Sequence, residues 1–139
     1  MHQWGKDEAN LDLGQPVGIS LDSDGNLFAV EAIQGKVWEI LSSGKSTSWH
    51  AVSPSDTVDG PRISIGANRN LYLTDPDKAR VVVYTTDGRP IGQLRSAGEN
   101  SELFIKPVGI AVTPDGTLVV SDSTLCQVLA FKLPDELLK

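Results

Sequence analysis

One cysteine, two histidines and a shortage of basic residues set the first limits on this chain of 139 residues. Cys126 stands alone, so no intrachain disulfide can form and nothing in the sequence demands an oxidising compartment. Lys and Arg number 12 against 18 Asp and Glu. The resulting net charge of −6 works against a nucleic-acid partner, because that binding relies on clustered cations displacing counterions from phosphates. The same sign opposes attachment to an anionic membrane surface. No stretch approaches the roughly 20 apolar residues that span a bilayer. The opening Met1-His2-Gln3-Trp4 lacks the basic region and apolar run of a signal peptide. The composition leaves the compartment open between the cytoplasm, which it favours, and an extracellular setting. Glycine-rich phosphate loops and serine-centred nucleophile elbows are absent too.

What the chain does have is an internal repeat. PVGISLDSDGNLFAVEAIQGKVWEI begins at Pro16, PRISIGANRNLYLTDPDKARVVVY at Pro61 and PVGIAVTPDGTLVVSDSTLCQVLAF at Pro107, with the prolines 45 and 46 residues apart. Trp4, Trp49 and Arg95 each precede one of those prolines by 12 residues and so hold one repeat position. A period of this size marks an architecture of stacked units, none of which can bury its own apolar faces alone. In the first copy the pattern predicts strands over Val17–Leu21, Leu27–Glu31, Lys36–Leu41 and around Thr47–Val52, with Asp24-Gly25 and Ser42-Ser43-Gly44 as turns. The second copy predicts strands near Ile63, then over Leu71–Thr74, Arg80–Thr85 and Ile91–Arg95. The third predicts Gly109–Val112, Thr117–Ser121 and Gln127–Lys132, with LPDELLK as one helical turn or a frayed end. The strands are apolar runs (LFAV, VVVY, GIAV) more than alternations, so both faces of each sheet are expected to be covered. Small four-stranded antiparallel sheets repeated radially are the blades of an all-β propeller.

The pattern P-x-G-I-x-[VL]-x-x-[DN]-G-x-L-x-[VL]-x-[DE], followed by a strand opening [KR]-V, resembles the NHL repeat. Pro16, Gly18, Asp24, Gly25, Leu27, Glu31, Lys36 and Val37 carry it in the first copy, and Pro107, Gly109, Asp115, Gly116, Leu118, Asp122 and Val128 in the third. The second copy keeps Pro61, Leu71, Asp75, Arg80 and Val81 but lacks the glycine, and has Asn68-Arg69 for Asp-Gly. The family's asparagine before its Arg-Val step is Gln34, Lys78 and Leu125 here. The resemblance spans essentially residues 1–139, read as one propeller domain with repeats at about 1–45, 46–91 and 92–139. It implies a fold and leaves function open among scaffolds, sensors, RNA binders, lyases and lactonases.

Glu31, Asp75 and Asp122 share one repeat position, which invites a carboxylate ring around a metal; bracing of the local loop through backbone N–H groups, or pairing with Lys36 and Arg80, is the simpler expectation. His2 and His50 flank tryptophans on outermost strands, away from the axis where lyase-like relatives hold a metal with several histidines. Lactonase-like relatives use carboxylate and asparagine oxygens, for which Asp22, Asn68, Asn70 and Asp115 are available, although all four fall in turns that favour these residues anyway. Cys126 aligns with Gly35 and Ala79 and is expected to be a packed thiol in a small-residue slot. Trp4 and Trp49 are expected to pack between outer strands, and Gly18 and Gly109 to occupy crowded places near the axis. The expected function is a non-catalytic protein-interaction or ligand-binding module, without cofactor or metal, using variable loops on one face. Its expected contact residues are Gln34, Arg62, Asp77, Lys78 and Thr124. The alternative is a metal-assisted hydrolase or lyase. Three blades do not close a ring, so two arrangements are expected as alternatives: a homodimer with six blades, the strand at Trp4 of each copy completing the last blade of the other, or a fragment of one longer propeller.

Overall fold

A computed structural model describes residues 12–55, 58–95 and 103–133. The chain forms three antiparallel sheets in sequence order. Blade 1 holds β1 (Pro16–Leu21), β2 (Leu27–Glu31), β3 (Lys36–Ile40) and β4 (Ser46–His50). Blade 2 holds β5 (Ile63–Ile65), β6 (Leu71–Asp75), β7 (Arg80–Tyr84) and β8 (Pro90–Arg95). Blade 3 holds β9 (Pro107–Val112), β10 (Thr117–Asp122) and β11 (Gln127–Lys132). The architecture is that of a propeller built from meandering blades. The strand expected at Trp4, and most of the LPDELLK tail, lie outside the described residues.

The strands match their expected positions to within a residue or two, with one instructive shift. The fourth strand stops at His50, because the N–H groups of Ala51 and Val52 both turn to the carbonyl of Gly35, at 2.9 and 3.1 Å. That approach needs a bare α-carbon: a Cβ on Gly35 would lie 1.9 Å from the Val52 carbonyl oxygen. A short 3-10 turn, Pro76–Lys78, occupies the β6–β7 loop, where no element was expected. The β1–β2 turn is closed by the Asp22 carboxylate, which accepts the N–H groups of Asp24 and Asn26. Arg69 takes the left-handed conformation of Gly25 and Gly116 in the equivalent turn of blade 2.

Apolar side chains alternate between the two faces of each blade and interdigitate with the neighbour. Phe28, Val30 and Val37 of blade 1 meet Ile63, Leu71, Leu73 and Val82 of blade 2 in the first seam. Tyr72, Val81 and Val83 of blade 2 meet Leu118 and Val120 of blade 3 in the second, with Phe104 set edge-on to Phe131. Each fully buried side chain of this size contributes roughly 1.5–3 kcal/mol, so the seams are the main source of cohesion. Hydroxyls tie the inner strands together as well. Ser20 Oγ accepts the N–H of Ile65 at 3.0 Å, and Ser64, its equivalent one blade on, accepts that of Val112 at 3.2 Å. Thr74 Oγ1 accepts the N–H of Arg62 within blade 2 and donates to the Val108 carbonyl of blade 3 at 2.8 Å.

Trp49 packs against the first seam, its ring over Gly88 in the β7–β8 turn, as an outer-strand packing residue should. Gly18 is crowded both by Val30 of its own blade and by the Arg62 backbone of the next, whereas Gly109 is crowded from within its own blade by Ser121 Oγ, 2.5 Å from where a Cβ would sit. The expectation for Cys126 needs correction. Gly35, Ala79 and Cys126 all have positive φ (66°, 50° and 54°), so the slot selects small residues for a left-handed backbone, and the Cys126 thiol is exposed.

Candidate functional site

The blades present two loop faces. One, the connector face, carries the β2–β3 and β6–β7 loops, the turn before β11 and the segments entering β5 and β9. The other carries the tight hairpins after β1, β5 and β9. On the connector face the three equivalent acids are buried. Glu31 Oε1 accepts the N–H groups of Gln34 and Lys36. Asp122 accepts four, from Ile105, Lys106, Thr124 and Leu125. Burial pulls its carboxyl upward, and those N–H groups outweigh it and hold the pKa below the ordinary value. Asp75 instead pairs with Arg80 Nε at 2.8 Å. These are the loop-bracing and ion-pairing roles the sequence suggested, except that Lys36 contributes its backbone and not its ammonium.

Above these braces stand the loop ends. Gln34, Asp77, Lys78 and Thr124 are exposed. Topology places them on one face, Asp77 and Lys78 together on the 3-10 turn and Gln34 and Thr124 on the corresponding loops of the flanking blades. Asp77 accepts the N–H of Ser55 from the preceding connector. Arg62 is half-buried and folds back, Nη1 donating to the carbonyls of Gly60 and Pro61 at 3.0 and 3.1 Å. An ion pair between Asp59 and Lys106 links the two connectors.

The hairpin face was not expected to matter, yet two clefts lie there. One of about 350 Å³ is lined by Leu21, Asp22, Ile65, Arg69, Val112 and Pro114. Arg69 bridges to Asp24 at 2.8 Å and to the buried side chain of Asp22 at 3.2 Å, joining blades 1 and 2. The signal was present in the sequence: Arg69 stands where its neighbour repeat has Gly25, one period from two aspartates. A second cleft of about 230 Å³ lies between Asn68 and Asp115. There the Thr113 hydroxyl, reinforced by Lys132, lowers the Asp115 carboxyl to about 2. The oxygens considered for a lactonase-like metal are engaged locally. Asp22 closes its own turn, Asn68 accepts the Asn70 N–H and donates to the Tyr72 hydroxyl, and Asp115 takes the Thr113 hydroxyl. Among the described residues no three of His, Cys, Asp and Glu gather as a metal site. His50 lies on β4, the outermost strand of blade 1. No helix of the described residues is long and apolar enough to cross a membrane.

No family model matches the chain, and no curated protein matches it in sequence. Solved structures do match in fold. A candidate 6-phosphogluconolactonase from Bacteroides fragilis superposes with a TM-score of 0.65 at 19% identity, over 88% of this chain and 36% of that one. A catalytically inactive histidine variant of virginiamycin B lyase from Staphylococcus aureus, with quinupristin, gives 0.57 at 20% identity, over 91% and 44%. Kuenenia stuttgartiensis hydrazine synthase gives 0.55 at 17% identity, over 96% and 40%. The chain spans about two fifths of the length of such structures, and the likeness at these identities is one of propeller fold.

Proposed function

We propose that the chain is a non-catalytic binding module of the propeller type, recognising a protein or small-molecule partner through the loop ends of its connector face. The observation that supports this is the burial of Glu31, Asp75 and Asp122 and their engagement with partners of this chain, backbone N–H groups for Glu31 and Asp122 and Arg80 for Asp75. A buried carboxylate committed in this way is out of reach of a substrate proton, which a general base must approach within hydrogen-bonding distance. The same bracing holds Gln34, Asp77, Lys78 and Thr124 as exposed tips of differing chemistry on a rigid frame, with Arg62 at their inner margin, an arrangement suited to recognition. The reading uses no cofactor and no metal. The lyase and lactonase titles among the fold relatives keep a metal-assisted hydrolase or lyase as the rival reading.

Affinity capture compares the two faces. Lys78→Glu combined with Gln34→Ala is expected to abolish retention of the partner that the unaltered protein captures, while Arg69→Ala on the hairpin face retains it. The reverse pattern sinks the assignment of the face. One tightly held Ca²⁺ or Zn²⁺ per chain in elemental analysis sinks the non-catalytic reading.

A further inference from the structure

The two clefts of the hairpin face form one groove. Both are lined by Gly66, Ala67, Val112 and Pro114, so a common floor runs from the blade 1 hairpin to that of blade 3. The floor exists because the middle hairpin is stripped of side chains. Asp22, Gly66 and Thr113 open equivalent turns, each carbonyl accepting the N–H of the residue three further on. Asp22 and Thr113 also close their turns with a side-chain oxygen, which accepts the N–H of Asn26 at 2.8 Å and of Thr117 at 2.9 Å. Gly66 has no side chain, and the closure passes to Asn68, whose Oδ1 accepts the N–H of Asn70 at 3.1 Å. This exchange keeps the floor bare: a Cβ on Gly66 would lie 2.8 Å from that oxygen and 3.1 Å from the Tyr72 ring. Ala67 beside it is exposed and adds only a methyl group. Val112, Pro114 and Leu133 make the walls apolar.

The two ends of the groove differ. At the blade 1 end Arg69 is locked between Asp24 and Asp22, whose side chain is 1% exposed. At the blade 3 end Asp115 meets Lys132 at 3.3 Å with side chains 67% and 75% exposed. A contact in such high dielectric contributes little and exchanges readily. The Thr113 hydroxyl, with Lys132 beside it, sets the Asp115 carboxyl at about 2, so its charge is permanent near neutral pH. In all, three carboxylates face two cations along the groove.

We propose that this groove binds an organic cation with an apolar body, an alkylguanidinium or alkylammonium whose head replaces Lys132 on Asp115 and whose hydrocarbon lies over Ala67, Val112 and Pro114. A concave apolar wall with one charged group at its end is the usual build of a small-ligand site. A guanidinium matches the two oxygens of a carboxylate, and a hydrocarbon stem covers apolar surface while its charged head stays at the wet rim. An anion would meet the excess of carboxylates, and the charge of Arg69 is already offset by two of them. A free small molecule and a basic side chain of a polypeptide share this chemistry. The groove lies on the opposite face from the connector loops, so the inference goes beyond the proposed function and survives its failure.

Amide resonances of the isotopically labelled protein are followed during titration with hexylguanidinium, hexanoate and hexanol, which share one hydrocarbon chain. Hexylguanidinium at millimolar concentration is expected to shift Ala67, Gly116 and Leu133 saturably, and hexanoate and hexanol to leave them in place. Asp115→Asn is expected to weaken binding about fivefold, and Lys132→Gln to strengthen it about twofold by removing the competing ammonium. Ala67→Leu, at an exposed position, fills the floor and is expected to abolish the shifts. An acetylated Ala-Arg-Ala amide separates the sources: tighter binding than hexylguanidinium assigns a polypeptide side chain, and weaker binding a free cation. The absence of any saturable shift overturns the inference. So does an equal response to hexanoate or hexanol, an Ala67→Leu variant that binds as well as the parent, or a Lys132→Gln variant that binds less tightly. Should Ala67→Leu fail to fold, Lys132→Gln, at the exposed end of the groove, decides it.

Discussion

Single residues here act mostly through the backbone groups they satisfy. Asp122 is the fullest case: it is buried, accepts four N–H groups from two loops, and is held ionised by them against the upward pull of burial. Because its folded pKa lies below its unfolded value of about 3.9, the stability it contributes is complete above that value and is lost as pH falls through the folded one. Asp122→Asn, which keeps the shape and removes an acceptor, is expected to cost roughly 1–3 kcal/mol near neutral pH. Urea titrations at pH 7 and pH 3 check this, since the gap to the unaltered protein must narrow at the lower pH. A gap that stays constant would show that charge is not what Asp122 contributes. That a carboxylate at this place braces a loop, as Glu31 and Asp122 do, or pairs with the cation that follows, as Asp75 does with Arg80, was legible from the three acids recurring at one repeat position. Which N–H groups it would take was not, because Ile105 and Lys106 reach Asp122 only once the connector folds over blade 3.

At the scale of elements, turn chemistry and apolar runs were enough to place the strands, while the exceptions came from contacts between blades. The second copy lacks the glycine after its proline, and β5 is correspondingly short. Thr74 takes over there, accepting from Arg62 and donating to Val108 across the seam, as Ser121 accepts the Gly109 N–H in blade 3. Thr74→Val keeps the volume and removes both bonds in a fully buried place. It is expected to cost about 2 kcal/mol and to lower Tm by roughly 5–10 °C, measurable by calorimetry. A Tm within a degree of the parent would mean that the hydroxyl does not couple blades 2 and 3. Cys126 shows the limit of alignment within a repeat. A slot shared by Gly, Ala and Cys reads as tight packing, and only the backbone angles reveal that it is a left-handed turn with an exposed thiol.

For the whole molecule, charge gives the firmest expectation. With a net charge of −6, and with the cations Arg69, Arg80 and Lys106 committed to carboxylates, the protein is expected to give no mobility shift with RNA or DNA at micromolar concentration and ~150 mM salt. A shift that survives competitor would contradict that. The sequence by itself determined the propeller architecture, because a period of 45 to 46 residues, turn residues at fixed offsets and doubly apolar strands admit few other ways to bury both faces of a small sheet. Only the tertiary structure decided which equivalent residues differ in fate. Ile63 is buried and Ile19 exposed, Asp22 of the hairpin face is clamped by Arg69 from the next repeat, and the clefts open between hairpins that carry no binding signature in sequence. The physical reason is that a repeat specifies one blade, whereas seams, clefts and open faces belong to pairs of blades. Their character depends on which neighbour is present.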